Sequence, residues 1–399
     1  MRRRARFTAL FLSALGLLCL CAAPPGCDRD GGGGGGSAAS GSEILIGHYA
    51  SMTGDTATFG VSSDEGIRLA MKEINDAGGV LGKKIRVVTE DDRSLSDEAK
   101  TAVQKLINRD KVVAILGEIA SSRSIAGAPI AQDAGVPMLS PGSTNPKVTE
   151  MGDYIFRACF IDPFQGTAMA NFAMKDLGLK RFAILYAVNS DYSQGLRKFF
   201  TEAVQKNGGQ IVADLSYTEK SDVDFKGQLT KIRDSNPEAI WVPGYYTEAG
   251  LICQQARELG INVPIMGGDG WDSDQTVQIG KGAVENTYFS NHYHADEDRP
   301  EVKKFVETYK AMYKNPDGSP KVPDAMAILG YDAMKLMADA ITRANGTDGA
   351  KIRDALAATK NFPGASGSIT IDENRNAKKP IVILKIEGGK FNYVSRVNP

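Results

Sequence analysis

The chain has 399 residues, with 47 Lys and Arg set against 48 Asp and Glu. That length holds two domains with cores of their own, and the balanced charge excludes a broad basic surface for nucleic acid. Five cysteines (Cys19, Cys21, Cys27, Cys159 and Cys253) are spaced for neither a metal motif nor a disulfide framework. Cys159 and Cys253 read as small buried apolar residues.

Residues 1–26 read as a secretory signal: Arg2, Arg3, Arg4 and Arg6, then an apolar stretch from Phe7 to Ala23. That stretch is marginal against the roughly 20 apolar residues of a membrane span. Residues 27–42 form a Gly/Ser-rich tether. Cys27, after Gly26, stands where a bacterial lipoprotein carries its lipidated first residue, although Pro24 replaces the usual leucine three positions earlier. Cleavage without a lipid and an uncleaved anchor are the other readings. Each puts the fold outside the cytoplasmic membrane.

A first round of elements follows. Apolar patterning predicts strands over 43–50, 83–91, 112–117 and 136–140, with helices over 62–79, 97–110 and 124–134. The strands are continuous apolar runs, so the alternation predicts a parallel sheet covered by helices on both faces. A second round repeats the scheme, with helices over 167–178, 193–209, 225–237 and 248–260 and strands over 181–187, 210–217, 239–245 and 263–270. Two similar α/β lobes account for this better than one large sheet. From residue 294 onward come two or three more helices and a terminal strand pair, which pack on one lobe or both.

Ligands of open parallel sheets bind outside the carboxyl ends of the strands, and two polar corners lie there. "AILGEIASSRSIAGAPI" places Ser121 and Ser122 after an apolar run, and "VPMLSPGSTNPKV" places Ser140, Gly142, Ser143 and Thr144 likewise. Each serine or threonine alone reads as a helix cap. Two such corners on neighbouring strands together suit an anion such as a carboxylate. Asp269 in "MGGDGWDS" reads as a turn aspartate or as the partner of a ligand ammonium. Tyr192 and Tyr245 suit closure over an aliphatic group or partial core packing. Phe59 offers an apolar wall, and Trp271 a lining for the mouth.

Enzyme chemistry is poorly supported. His48, His292 and His294 are the only histidines, and "NHYH" lacks a third metal ligand. "GEIASSRS" is not a nucleophile elbow, and "GVLGKK" is not a phosphate loop. The expectation is no enzyme, metal or cofactor. A hydrolase using Ser121 or Ser122 would need one of the histidines within hydrogen-bond reach.

The ordered set "GIRLAMKEINDAGGVLGKKIRVVTEDD", "ILGEIASSRS", "MLSPGSTNP", "FRACFIDPFQG", "DYSQGL", "DFKGQLTKI", "VPGYYTEAG", "MGGDGWDS" and "LGYDAM" resembles the periplasmic leucine/isoleucine/valine-binding proteins. These are the type I solute-binding proteins of branched-chain amino acid ABC transporters, and the likeness runs over 43–397. It implies an α/β fold of two Rossmann-like lobes with parallel sheets, joined by three crossovers. Residues 43–162 plus about 292–378 form the first lobe, and 163–291 plus about 379–399 the second. Ser121 then falls where the family holds a ligand carboxylate, and Thr144 where it holds carboxylate and ammonium. Gly142 supplies a carbonyl to the ammonium, and Asp269 neutralises it. Ile119, Phe59, Tyr192 and Tyr245 enclose the side chain, with Ala120 and Ser143 completing the set.

Four departures accompany the likeness. Asp269 is one methylene shorter than the glutamate of some members. Phe59 lacks a tyrosine hydroxyl, Trp271 is bulkier than its counterpart, and Ala120 stands where a disulfide cysteine occurs. The implied partners are a free amino acid and a membrane permease driven by a cytoplasmic ATPase. The implied protein is a periplasmic or cell-surface monomer, tethered through Cys27. A sensor handing closure to a separate signalling partner is the alternative. Binders of amides, urea or aromatic acids share the fold, but such ligands would leave Asp269 an unpaired buried charge.

Overall fold

The structure, a computed structural model, describes residues 43–399; the expected signal peptide, tether and Cys27 lie outside the described residues. The first round folds as β1 (Glu43–Ala50), β2 (Lys84–Asp91), β3 (Ala114–Leu116), β4 (Met138–Ser140) and β5 (Ile155–Arg157). Between them run α1 (Ala57–Asp76), α2 (Ser96–Asn108), α3 (Ser121–Asp133) and α4 (Lys147–Glu150). The strands are all parallel, in the order β2-β1-β3-β4-β5. Every residue of β3, β4 and β5 is buried, as a sheet covered on both faces requires.

After α5 (Asp162–Asn171) the second round forms β6 (Arg181–Ala187), β7 (Gln210–Tyr217), β8 (Ala239–Trp241), β9 (Ile265–Gly267) and β10 (Thr287–Asn291). Its helices are α6 (Asp191–Lys206), α7 (Lys226–Asp234), α8 (Tyr246–Glu258) and α9 (Asp274–Gly280). The order β7-β6-β8-β9-β10 repeats that of the first sheet, so the two rounds are two copies of one topology. The chain then returns to the first lobe with α10 (Pro300–Met312), α11 (Ala325–Ala344), α12 (Gly349–Ala357) and a small antiparallel sheet of β11 (Phe362–Gly364), β12 (Gly367–Ile371) and β13 (Ala377–Lys378). It finally crosses back as β14 (Ile381–Glu387) and β15 (Lys390–Val397), antiparallel strands on the free edge of β10. The lobes are thus joined by three crossovers: β5 to α5, β10 to α10, and β13 to β14.

Differences from the expected elements have identifiable causes. The second sheet is mixed rather than parallel, because the terminal hairpin pairs only with β10. The small third sheet was not foreseen. Helix α1 starts at Ala57, ahead of the expected position 62, and polar groups inside it find distant partners. Ser62 Oγ donates to Asp324 Oδ2 at 2.6 Å, and Thr89 Oγ1 donates to Asp64 Oδ1 at 2.7 Å. The helix expected from 167 starts at Asp162, with Pro163 in its first turn, and winds into a π-turn over Phe172–Asp176.

Candidate ligand-binding site

In the order β2-β1-β3-β4-β5 the chain reverses its winding beside β1, and the crevice outside the carboxyl ends of β1 and β3 is where ligands sit. The second sheet has the matching crevice at β6 and β8. The residues singled out by sequence come from the loops at these ends. Phe59 follows β1, Ile119–Ser121 follow β3, and Gly142–Thr144 follow β4. From the second lobe, Tyr192 follows β6, Tyr245 follows β8 and Asp269 follows β9. The lobes touch across this region. Ser122 Oγ accepts from Asp191 N at 2.9 Å, Thr58 Oγ1 lies 3.1 Å from Ser273 Oγ, and Asp272 Oδ2 accepts from Ala325 N at 2.6 Å.

Neither Ser121 nor Ser122 caps a helix. Helix α3 begins at Ser121 itself, the N-cap position is Ala120, and no side chain caps it. Ser121 Oγ instead accepts from Asn145 N at 3.2 Å, tying the two corners together. The backbone N–H groups of Ser121 and Thr144 meet no acceptor among the described residues, and the Gly142 carbonyl meets no donor. Thr144 Oγ1 is buried without a partner of hydrogen-bonding geometry, although it lies close enough to Asp162 to favour that carboxylate's charged form. These are the groups a zwitterion head would use: donors for a carboxylate, and a carbonyl for an ammonium. Ser143 is placed differently from expectation. Its hydroxyl donates to the Glu118 carbonyl at 2.9 Å, and its N–H donates to Ser140 Oγ at 2.9 Å, so both are spent on the loop itself.

Asp269 is 3% exposed, between two glycines that make room for aromatic rings. A Cβ at Gly268 would meet the Tyr192 hydroxyl at 2.4 Å, and one at Gly270 would meet Tyr245 Cδ1 at 2.9 Å. Tyr192 OH donates to Asp269 Oδ1 at 2.8 Å, and His292 Nε2 lies 2.9 Å from Oδ2. Burial first, and the Asp269 charge second, hold the Tyr192 phenol well above its ordinary range, so it is the donor. Gln165 Oε1 fixes the aspartate backbone, accepting from Asp269 N at 2.8 Å. Behind it, burial pushes Asp162 up to about 8, with the Asp269 charge adding to the shift. At neutral pH Asp162 is therefore largely uncharged.

An aromatic box stands beside this acidic end. Tyr192 and Tyr245 stack with centroids 5.1 Å apart and planes within 7°. Phe59 of the first lobe meets Tyr245 and Tyr246 edge-on, at 5.8 and 5.0 Å. Ile119, Ala120 and Met326 belong to the same buried cluster. Trp271 is not at the mouth. It is fully buried in the second lobe's core, with Nε1 donating to the Val242 carbonyl at 3.1 Å. At the outer edge of the cleft a cavity of about 220 Å³ is lined by Ser94, Ser122, Arg123, Ser190, Glu219 and Tyr245. Lys220 Nζ donates across it to the Ser94 carbonyl.

The structure gathers Phe59, Ile119, Ala120, Tyr192 and Tyr245 into one buried cluster and ties the Ser121 corner to the Thr144 corner through Asn145, while the charged residues that support them were missed by sequence reading. Glu118 is buried, accepts from Ser51 N and Oγ, and forms an ion pair with Arg123 Nε at 3.1 Å. Asp92 lies beside them, pushed up to about 8, chiefly by burial. Arg157, also buried, donates to the carbonyls of Ser143 and Asn145 at 2.5 and 2.7 Å and so shapes the Thr144 corner. A lone charge in an apolar run ("YIFRACF", "AILGEIA") was the available signal. None of the histidines is hydrogen-bonded to Ser121 or Ser122: His48 Nδ1 meets the Leu116 carbonyl, His292 Nε2 meets Asp269, His294 Nε2 meets the Phe391 carbonyl and its Nδ1 accepts from Asp296 N, while His48 Nε2 and His292 Nδ1 are buried without a partner. Among the described residues no cluster of His, Cys, Asp and Glu is arranged to hold a metal.

Comparison with known proteins agrees with this geometry. The profile of the periplasmic binding protein family matches residues 43–390. The chain belongs to the periplasmic binding protein family. Among curated members, Leu/Ile/Val-binding protein homolog 3 of Brucella melitensis is 28% identical over 88% of this chain and 93% of its own. Among solved structures, a leucine binding protein of Thermotoga maritima superposes with a TM-score of 0.84 at 42% identity, covering 89% of this chain and 99% of that one. A branched-chain amino acid transporter substrate binding protein of Streptococcus pneumoniae, in complex with isoleucine, gives 0.83 at 35% identity over 90% and 100%. These likenesses carry the two-lobed type I fold of solute-binding proteins to this chain. Among the described residues of this periplasmic binding protein, no helix is long and apolar enough to cross a membrane.

Proposed function

We propose that the protein binds a free neutral amino acid, branched-chain by preference, between its lobes and delivers it to the permease of an ABC transporter by domain closure. One observation carries the reading: Ser121 N, Thr144 N and Thr144 Oγ1 in the strand-end loops of the first lobe are donors without partners, and the strand-end loop of the second lobe carries the buried carboxylate of Asp269. The first lobe receives the carboxylate, Gly142 and Thr144 share the ammonium, and Phe59, Ile119, Ala120, Tyr192 and Tyr245 enclose the side chain. Asp269 joins only when the lobes meet, which gives the ligand its differential affinity for the closed state. Head-group contacts and an apolar box together supply about 8 kcal/mol, a micromolar dissociation constant. The family match, and the names of relatives as binding proteins, support a carrier rather than an enzyme. The leader sequence supports export and a lipid tether at Cys27, and the three crossovers support lobe boundaries near residues 162, 292 and 379.

Isothermal titration of the protein, freed of bound ligand by unfolding and refolding, tests this. Leucine, isoleucine or valine should bind with micromolar or tighter affinity, and acetylating the ammonium should abolish binding. Asp269→Ala should weaken binding by several kcal/mol, because the ammonium would be buried unpaired. Binding confined to amides or aromatic acids, or an Asp269→Ala variant of unchanged affinity, overturns the assignment.

A further inference from the structure

His292 is the first residue after β10, where the chain leaves the second sheet for α10. Its side chain is fully buried and stacks on Phe160, with centroids 3.9 Å apart and planes within 15°. Phe160 lies in the segment by which the chain leaves the first sheet for α5. The ring therefore sits where two of the three crossovers touch. From there Nε2 reaches Asp269 Oδ2 at 2.9 Å, while Nδ1 is buried without a partner. A carboxylate oxygen only accepts, so Nε2 carries the proton and Nδ1 keeps its bare lone pair; the opposite tautomer would bury an N–H facing nothing. The other oxygen of Asp269 is held by Tyr192 OH, a pocket residue.

We propose that His292 is a positioning residue for ligand binding, which from the hinge holds the Asp269 carboxylate in the orientation that meets the ligand ammonium. The proposal rests on the reading of Asp269 given above. Closing the lobes and completing the ammonium site are then one event, because the same ring packs the crossovers and orients the carboxylate. The groups facing this contact are Asp269 and Tyr192 on the pocket side, Lys379 on the third crossover, and Asp162 and Cys159 behind the aspartate. Burial lowers the imidazole's pKa and Lys379 acts in the same direction, while Asp269 opposes them. The ring is neutral at physiological pH. Charging it in acid puts a second cation against Asp269, in competition with the ammonium.

The test is titration of the ligand-stripped full chain with leucine, from about pH 5 to about pH 8, the span in which imidazoles respond. His292→Phe keeps a ring against Phe160 and removes the donor; it should weaken leucine binding roughly tenfold to a hundredfold at neutral pH. His292→Gln keeps a donor and should recover part of that loss. The wild-type affinity should fall toward the acid end, and this fall should be clearly smaller in His292→Gln, where Asp162, Asp272 and Asp324 still titrate but the imidazole does not. If His292→Phe does not fold, the pH profile of His292→Gln decides. Wild-type affinity in both variants, or an undiminished acid fall in His292→Gln, overturns the proposal while leaving the amino-acid reading intact. A wild type that binds no amino acid at all removes both.

Discussion

Thr144 shows how a single side chain separates binding from stability. Its hydroxyl is buried and meets no partner of suitable geometry, so it contributes little to the fold as it stands. Thr144→Val keeps the shape and removes the hydroxyl. Leucine affinity should drop by about 1.5–3 kcal/mol, the range for a hydrogen bond to a charged group, while the melting temperature holds or rises slightly. Calorimetric titration and thermal unfolding read the two quantities separately; a loss of stability without a loss of affinity would make Thr144 structural. Ser143, its neighbour, is the reverse case, with its hydroxyl and N–H already committed to the loop. Both corners were legible as polar, but nothing local distinguished a hydroxyl left without a partner from one committed to the backbone.

At the scale of elements, α1 and α11 are the closest-packed helices at the cleft side of the first lobe. A Cβ at Gly66 would meet the Ala327 carbonyl oxygen at 1.8 Å, and one at Gly330 would meet that of Ser63 at 2.4 Å. These are backbone atoms, so neither contact is relieved by a rotamer. Gly66→Ala or Gly330→Ala should cost about 1–3 kcal/mol or more by overpacking. Because α11 carries Met326 into the aromatic cluster, ligand affinity should fall as well. Urea denaturation would show the change, and an unmoved midpoint would contradict the packing argument. The existence of α11 was plain from its apolar period, but its partner α1, 268 residues earlier in the chain, was not.

At the scale of the whole molecule, two acids meet where the lobes join. Asp324 caps α11, accepting from Ala327 N at 3.0 Å, and Asp272 of the second lobe accepts from Ala325 N. Burial pushes Asp272 up to about 6 and Asp324 to about 7, with the Asp272 charge adding to the latter. Folded values above the unfolded ones mean that the folded protein holds these protons more tightly. Their contribution is complete below about pH 4 and is lost as pH rises to about 6 and 7. Asp272→Asn removes one member of the pair and should gain stability relative to the wild type across that window. Thermal unfolding at a series of pH values measures it, and a pH-independent difference between the two proteins would refute the coupling.

What the sequence by itself determined was the alternation of apolar strands and amphipathic helices, the division into two like lobes, and the polar corners at strand ends. These follow from periodicity and turn residues within a few positions of one another. Tertiary structure alone decided which side chains the corners present. Asp269 and Trp271 share one tight 3₁₀ turn, yet one faces the cleft and the other the core. Arg157, Glu118 and His292 became parts of the site only through groups brought to them from other loops and crossovers. The physical reason is that buried polar groups are held by whatever partner folding brings to them. That partner is a property of three-dimensional proximity, which local sequence does not encode.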